Sequence, residues 1–217
     1  MVNITDVRQI LQFAIDAEIK VFLDGGWGVD ALLGHQSRSH NDIDIFVEKK
    51  DYQNFIEIIQ ANGFYEIKME YTTLNHTVWE DAKNRIIDLH CFEYTGKGEI
   101  LYEGDCFPLE IFSGKGKIEE IEVSCIEPYS QVMFHLGYEF DENDVHDVKL
   151  LCETFHIEVP NEYRSRQIPI CRDDDKERGS AGINLSAHKN CVGGSKEKGF
   201  SETEEKLRRN NSLKVRN

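Results

Sequence analysis

Val21-Phe22-Leu23-Asp24-Gly25-Gly26-Trp27-Gly28-Val29-Asp30 and, shortly after it, Arg38-Ser39-His40-Asn41-Asp42-Ile43-Asp44-Ile45-Phe46-Val47 decide the fold of this chain. A short apolar strand, residues 21–23, is broken by Asp24-Gly25-Gly26. A helix over 29–33 follows and stops at Gly34, where a left-handed residue is expected after a helix. A polar turn then leads into a strand over 43–47. Strand, glycine turn, helix and strand in that order predict an α/β unit built around one sheet.

The same alternation of types continues outward. Ile4, Val7, Ile10, Leu11, Ala14 and Ala17 recur every three or four residues and predict an opening amphipathic helix. Tyr52, Phe55, Ile56 and Ile59 mark a third helix, ended by Asn62-Gly63. A hairpin region precedes a β-rich run over 86–92. Between Glu99 and Ile126, turns near Gly104 and Gly114-Lys115-Gly116 separate short strand candidates, which read as flanking hairpins. Pro128 opens a final helical pair, the second member beginning at Asn143.

The 217 residues are 40% apolar, enough for one or two domains with a buried core. No apolar run is of membrane-spanning length, and Asp6, Arg8, Asp16, Glu18 and Lys20 occupy the place of a signal-peptide core, so a cytoplasmic protein with no membrane partner is expected. The six cysteines show no C-x-x-C pair or zinc-type spacing and read as reduced apolar fillers. Residues 1–160 hold 12 Lys or Arg against 31 Asp or Glu, while residues 161–217 hold 13 against 9. So acidic a body disfavours a nucleic-acid partner and suits a small cationic substrate, although acidity also serves solubility alone. From Asn161 onward 14 of 57 residues are apolar and no period persists, so 161–217 is expected to be a disordered tail with a transient helix at 201–209.

Chemistry concentrates on the second strand. Alternation puts Asp42, Asp44 and Phe46 on one face and Ile43, Ile45 and Val47 on the other, with the aspartate Cα atoms roughly 6.6 Å apart. Two such carboxylates about 4 Å apart repel by about 4 kcal/mol at an effective dielectric of about 20, a cost a bound cation removes. A solvent-facing edge strand gives the same D-x-D pattern. Gly25 and Gly26 allow a phosphate to approach free N–H groups at a helix start, or form an ordinary tight turn. Arg38 and His40 are candidate donors to a triphosphate, or members of a solvated loop. In Ile86-Ile87-Asp88-Leu89-His90-Cys91 a single charge interrupts an apolar strand, and Asp88 needs a partner there. His90 shares its face, as ligand neighbour or as an ordinary core or rim histidine.

Taken together, the run from Leu23 to Asp30, the run from Arg38 to Ile45 and Ile87-Asp88-Leu89-His90 resemble the antibiotic nucleotidyltransferases. The similarity is nearest to the lincosamide enzymes and extends to the aminoglycoside 2″-nucleotidyltransferases, both of the polymerase-β-like superfamily. It covers most of residues 8–155. The segment from Phe134 through Tyr138 and Glu139 to His146 and Lys149 resembles the C-terminal helical part of the lincosamide enzymes.

The resemblance implies an α/β (α+β) fold: a polymerase-β-like core of a mixed sheet flanked by helices in 1–95, hairpins and a helical pair completing the substrate pocket in 96–160, and the tail. It implies Mg²⁺, two ions, on Asp42, Asp44 and Asp88, with Asp88 as general base. Gly25, Gly26, Arg38 and His40 would hold the NTP, and His90, Tyr138, Glu139 and His146 the acceptor, a small-molecule antibiotic. A homodimer is compatible with it. A toxin-type enzyme modifying a protein or tRNA, and an inert nucleotide-binding module using the tail as an arm, are the competing classes.

Overall fold

A computed structural model of the chain describes residues 1–136 and 138–164; Gly137 and residues 165–217, with the helix expected at 201–209, lie outside the described residues. The chain opens with α1 (Ile4–Asp16), whose start is fixed by a capping box between Asn3 and Asp6. Its stripe of Val7, Ile10, Leu11 and Ala14 is buried, as its spacing predicts. Strand β1 (Val21–Asp24) passes directly into α2 (Gly25–Leu33), which ends on left-handed Gly34. Helix α2 therefore begins four residues earlier than the apolar spacing suggests, because both glycines belong to its first turn. Then come β2 (Asp42–Glu48) and α3 (Lys49–Ala61), followed by β3 (Tyr65–Ile67), β4 (His76–Glu80) and β5 (Ile86–Tyr94).

The sheet runs β3-β4-β5-β2-β1 and continues through β9 (Ile121–Cys125) to β8 (Gly114–Ile118). The hairpin of β6 (Glu99–Tyr102) and β7 (Asp105–Pro108) extends from the far end of β5. It is a mixed sheet: β2 lies parallel to β5 and antiparallel to β1, while β9 runs parallel to β1. Of the hairpins expected on the flank, β6–β7 stands there, whereas Gly114-Lys115-Gly116, read as a turn, lies inside β8, whose hairpin with β9 enters the main sheet through β9 beside β1. Short range periodicity carries no information on that long-range pairing.

Alternation sends the two faces of β2 into two separate cores. Ile43, Ile45 and Val47 pack with Leu23, Ile87 and Leu89 beneath α1 and α3. Phe46 joins Phe22 and Phe92 in a second core against α4 (Pro128–Phe134) and α5 (Glu142–Phe155). That second face also carries Asp24, Asp42, Asp44, Asp88 and His90, one step from the aromatic floor. Ordered chain continues beyond the expected tail boundary at Asn161. Helical turn α6 (Asn161–Arg164) buries Tyr163, whose ring stacks on Phe140 and whose hydroxyl donates to the His135 carbonyl at 2.5 Å. One aromatic anchor with a satisfied hydroxyl outweighs the polar composition around it. The four cysteines among the described residues, Cys91, Cys106, Cys125 and Cys152, are free thiols. No helix among the described residues is long and apolar enough to cross a membrane.

Candidate active site

Sheet register assembles the acidic residues. Asp24 on β1 pairs with Asp44 on β2, and Asp44 pairs with Asp88 on β5. Asp42 stands two residues before Asp44 on the same face. Burial, and then the charges of Asp44 and Asp88, push the Asp42 carboxyl up to about 7, with Arg38 opposing them. A carboxylate cluster so crowded that one member holds a proton near neutrality fits a divalent cation, whose charge would relieve both the burial and the repulsion.

The glycine turn is shaped by its neighbours. Gly25 has φ +58°, and a Cβ there would fall 2.1 Å from Asp44 Oδ2. A Cβ on Gly26 would fall 2.2 Å from His40 Nδ1 and 2.7 Å from an Arg38 guanidinium nitrogen. Only glycine lets the start of α2 approach this closely to Asp44 on one side and to Arg38 and His40 on the other. The start of α2 therefore lies against the Asp44 carboxylate, and a helix start is where unpaired backbone N–H groups can receive phosphate.

Arg38 reaches this place through a bidentate pair to buried Asp147 of α5, at 2.9 and 2.6 Å. Burial works against its charge, but the hydrogen bond and field of Asp147 outweigh it and raise its pKa. His40 is more committed than a donor waiting for phosphate: its Nε2 pairs with Asp30 Oδ2 at 2.5 Å in a buried contact, and its ring lies against Trp27. Asp30 also accepts from Ser37, at 2.9 Å from the backbone and 2.6 Å from the hydroxyl, which fixes the loop before Arg38.

His90 is fully buried, with Nε2 3.6 Å from Asp88 and 3.8 Å from Asp44. Its Nδ1 lies 2.8 Å from the Tyr102 hydroxyl and its ring stacks on Phe46. His76 on β4 is hydrogen-bonded to Asp88 Oδ1. The C-terminal candidates are less concentrated. Tyr138 donates to Asp144 at 2.8 Å, and burial, then Asp144, raise its pKa far above the ordinary range, with Asp24 among the charges it feels. His146 is half-buried beside Asp147, its Nε2 lacking a hydrogen-bond partner among the described residues. Glu139 is exposed.

Sequence reasoning missed Asp24, Asp30, His76, Tyr102 and Asp147. Asp24, which precedes α2, and Asp30, buried within it, stand in the quoted glycine motif and could have been flagged as charges in an otherwise apolar stretch. His76, in Asn75-His76-Thr77, has no local signal, since only the β4–β5 register brings it to Asp88.

Strand-borne carboxylates beside a glycine turn at a helix start are the core of a nucleotidyltransferase, and this chain is one. The family model described as aminoglycoside-2″-adenylyltransferase matches residues 6–151, and the chain belongs to that family. A lincosamide resistance protein of Staphylococcus haemolyticus is 31% identical over 156 residues, which is 69% of this chain and 95% of the relative. Among solved structures, the lincosamide antibiotic adenylyltransferase LnuA with lincomycin bound superposes with a TM-score of 0.62 at 28% identity, over 69% of this chain and 96% of that one. ANT(2″)-Ia in complex with adenylyl-2″-tobramycin gives 0.58 at 19% identity, over 70% and 88%, a likeness of fold.

Proposed function

We propose that this enzyme moves a nucleoside monophosphate from an NTP to a hydroxyl of a lincosamide antibiotic, with Mg²⁺ held by Asp42, Asp44 and Asp88. One observation carries the chemistry: Asp44 and Asp88 pair across parallel strands while Asp44 lies against the Gly25 turn, so a carboxylate pair faces the site where phosphate is received. The likeness to a lincosamide resistance protein over 95% of its length supports the acceptor class.

The chain's own groups divide the work. N–H groups at the start of α2 and the Arg38 guanidinium hold the triphosphate, and Asp147 keeps Arg38 oriented for it. Asp88 takes the proton of the acceptor hydroxyl as that oxygen attacks the α-phosphorus, and pyrophosphate leaves from the opposite side. A base placed in this way contributes about 10² to 10⁴ in rate. Mg²⁺ supplies charge neutralisation at the phosphates and acidifies the hydroxyl. His90, 3.8 Å from Asp44 and 3.6 Å from Asp88, and Tyr138, which donates to Asp144, are assigned to the acceptor side.

An aminoglycoside acceptor is the second reading. It is favoured by the family model matched and by the acidic body, which suits a polycation.

The test is mass spectrometry of lincomycin and of an aminoglycoside panel incubated with the protein, Mg²⁺ and mixed NTPs, with the Asp44→Asn protein as control. A nucleotide-sized mass gain on lincomycin, absent with the variant, is expected. A gain confined to aminoglycosides selects the second reading, and no gain on any drug refutes both.

A further inference from the structure

We propose that His76, Asp88 and His90 form a second cation site, one for a divalent transition metal of the zinc class, which shares Asp88 with the carboxylates assigned to Mg²⁺. The three residues come from neighbouring strands: His76 of β4 pairs in register with His90 of β5, and Asp88 lies two residues before His90 on the same face. One donor atom of each lies within 4.8 Å of the others. Two imidazole nitrogens and one carboxylate oxygen are the ligand set of open transition-metal sites, whereas Mg²⁺ takes oxygen ligands and keeps several waters.

The surroundings are those of such a site. Tyr102 lies 2.8 Å from His90 Nδ1; when that nitrogen carries the proton and donates it to the phenol oxygen, the Nε2 lone pair is directed at Asp88 and Asp44. This is the outer hydrogen bond that fixes the tautomer of a metal-ligating histidine. Aromatic rings confine both imidazoles: Phe46 stacks on His90 at 4.6 Å, Tyr71 lies 5.0 Å from the His76 ring, and the two imidazoles are 4.3 Å apart. Asp44 Oδ1, 3.8 Å from His90 Nε2, stands where a further oxygen ligand would be drawn in. The acidic residues around the site attract any divalent cation, and the nitrogen donors select the zinc end of the series.

Binding here is independent of the transfer reaction. A consequence does rest on the function proposed above: a zinc-class ion seated on Asp88 withdraws it from the acceptor hydroxyl, so micromolar Zn²⁺ inhibits turnover in the presence of excess Mg²⁺.

The experiment titrates the full-length, chelator-treated protein with Co²⁺, reading its visible ligand-field bands in excess Mg²⁺, and then displaces it with Zn²⁺. Expected are imidazole-bound Co²⁺ bands that saturate, that Zn²⁺ abolishes and that Asp42→Asn leaves unchanged. Tyr102→Phe should weaken the affinity by about 10- to 100-fold, the usual effect of losing an outer partner, and His76→Gln by more. Thermal melts and circular dichroism of each variant separate ligand loss from misfolding. Absence of Co²⁺ bands overturns the proposal, as does an affinity that His76→Gln and Tyr102→Phe both leave within about twofold of the parent. Transfer that fails while Co²⁺ binding persists counts against the function and leaves the site standing.

Discussion

Gly25→Ala separates two demands that the structure places on one residue, and Gly34→Ala supplies the control. Both glycines have positive φ, +58° and +77°, but a Cβ at Gly34 meets nothing within 4 Å. A left-handed backbone costs a non-glycine residue about 1–2 kcal/mol. For Gly34→Ala that is the whole effect, a fall in melting temperature of about 2–8 °C with unchanged kinetics. At Gly25 the same strain is joined by a contact of 2.1 Å to Asp44 Oδ2, and Cβ contacts under 3.0 Å are essentially never seen, so the carboxylate must retreat by about 0.9 Å. A misplacement of about 1 Å in a reacting geometry costs about 10²-fold in rate, or about 2.7 kcal/mol of transition-state stabilisation. The assay is nucleotidyl transfer to the acceptor drug, with kcat and KM measured separately, alongside thermal melts of both variants. Gly25→Ala should melt within a few degrees of Gly34→Ala and lose about a hundredfold in kcat. Equal kinetics for the two would mean that Asp44 is not held in place by this contact, and the reasoning would fail.

Asp147→Asn removes the partner of Arg38 from a buried position and should cost about 3 kcal/mol, a drop of about 6–12 °C, while raising KM for the NTP more than it lowers kcat. An unchanged melt would show that the pair does not hold Arg38. In the metal-free protein, burial and then Asp44 and Asp88 raise the Asp42 carboxyl from 3.8 to about 7, so its contribution to stability is full below the lower value and is lost as pH rises through the upper. Mg²⁺ must displace that proton, so its affinity should fall about tenfold per unit below about pH 7 and its stabilising effect should be larger at pH 8 than at pH 6, read by thermal shift; a pH-independent shift would contradict the assignment. Tyr163→Ala should destabilise by about 3–5 kcal/mol and Tyr163→Phe by about 1 kcal/mol, because the first empties a buried ring site and the second removes only the hydrogen bond to His135. Denaturant melts giving equal losses would refute that division.

What the sequence disclosed follows from the range of its signals. Period-2 alternation assigned both faces of β2 correctly, since Ile43, Ile45 and Val47 enter one core and Phe46 the other. The 3.6-residue stripe gave α1 to within a residue, and Gly34 and Gly63 marked where helices stop. These are local properties, set by side-chain direction and backbone sterics. The start of α2 was misplaced because Gly25 and Gly26 look like a turn until Asp44, His40 and Arg38 are seen crowding them. His76 and Asp147 were invisible for the same reason at longer range: one needs the β4–β5 register, the other the packing of α5 beside Arg38. Tyr163 was lost to composition, because a segment average cannot register one buried ring.

The electrostatics of the site connect these local and distant parts. Asp24, Asp44 and Asp88 lie side by side on three strands with Asp42 one step along, an accumulation that a fold would not assemble for its own stability. Against it, among the described residues, the chain sets Arg38, itself tied to Asp147, and the start of α2. His76 and His90 add nitrogen donors on the β4 and β5 side, one hydrogen-bonded to Asp88 and the other wedged between Asp88 and Asp44. A free anion would be repelled by such a wall and a free cation drawn to it, so under the proposed function the nucleotide would have to arrive with its own divalent ions and not as a bare triphosphate. The same field explains why the glycine turn must be so tight. A phosphate can settle beside the carboxylates only where backbone N–H groups come within reach, and a single methyl group on Gly25 or Gly26 would push them apart.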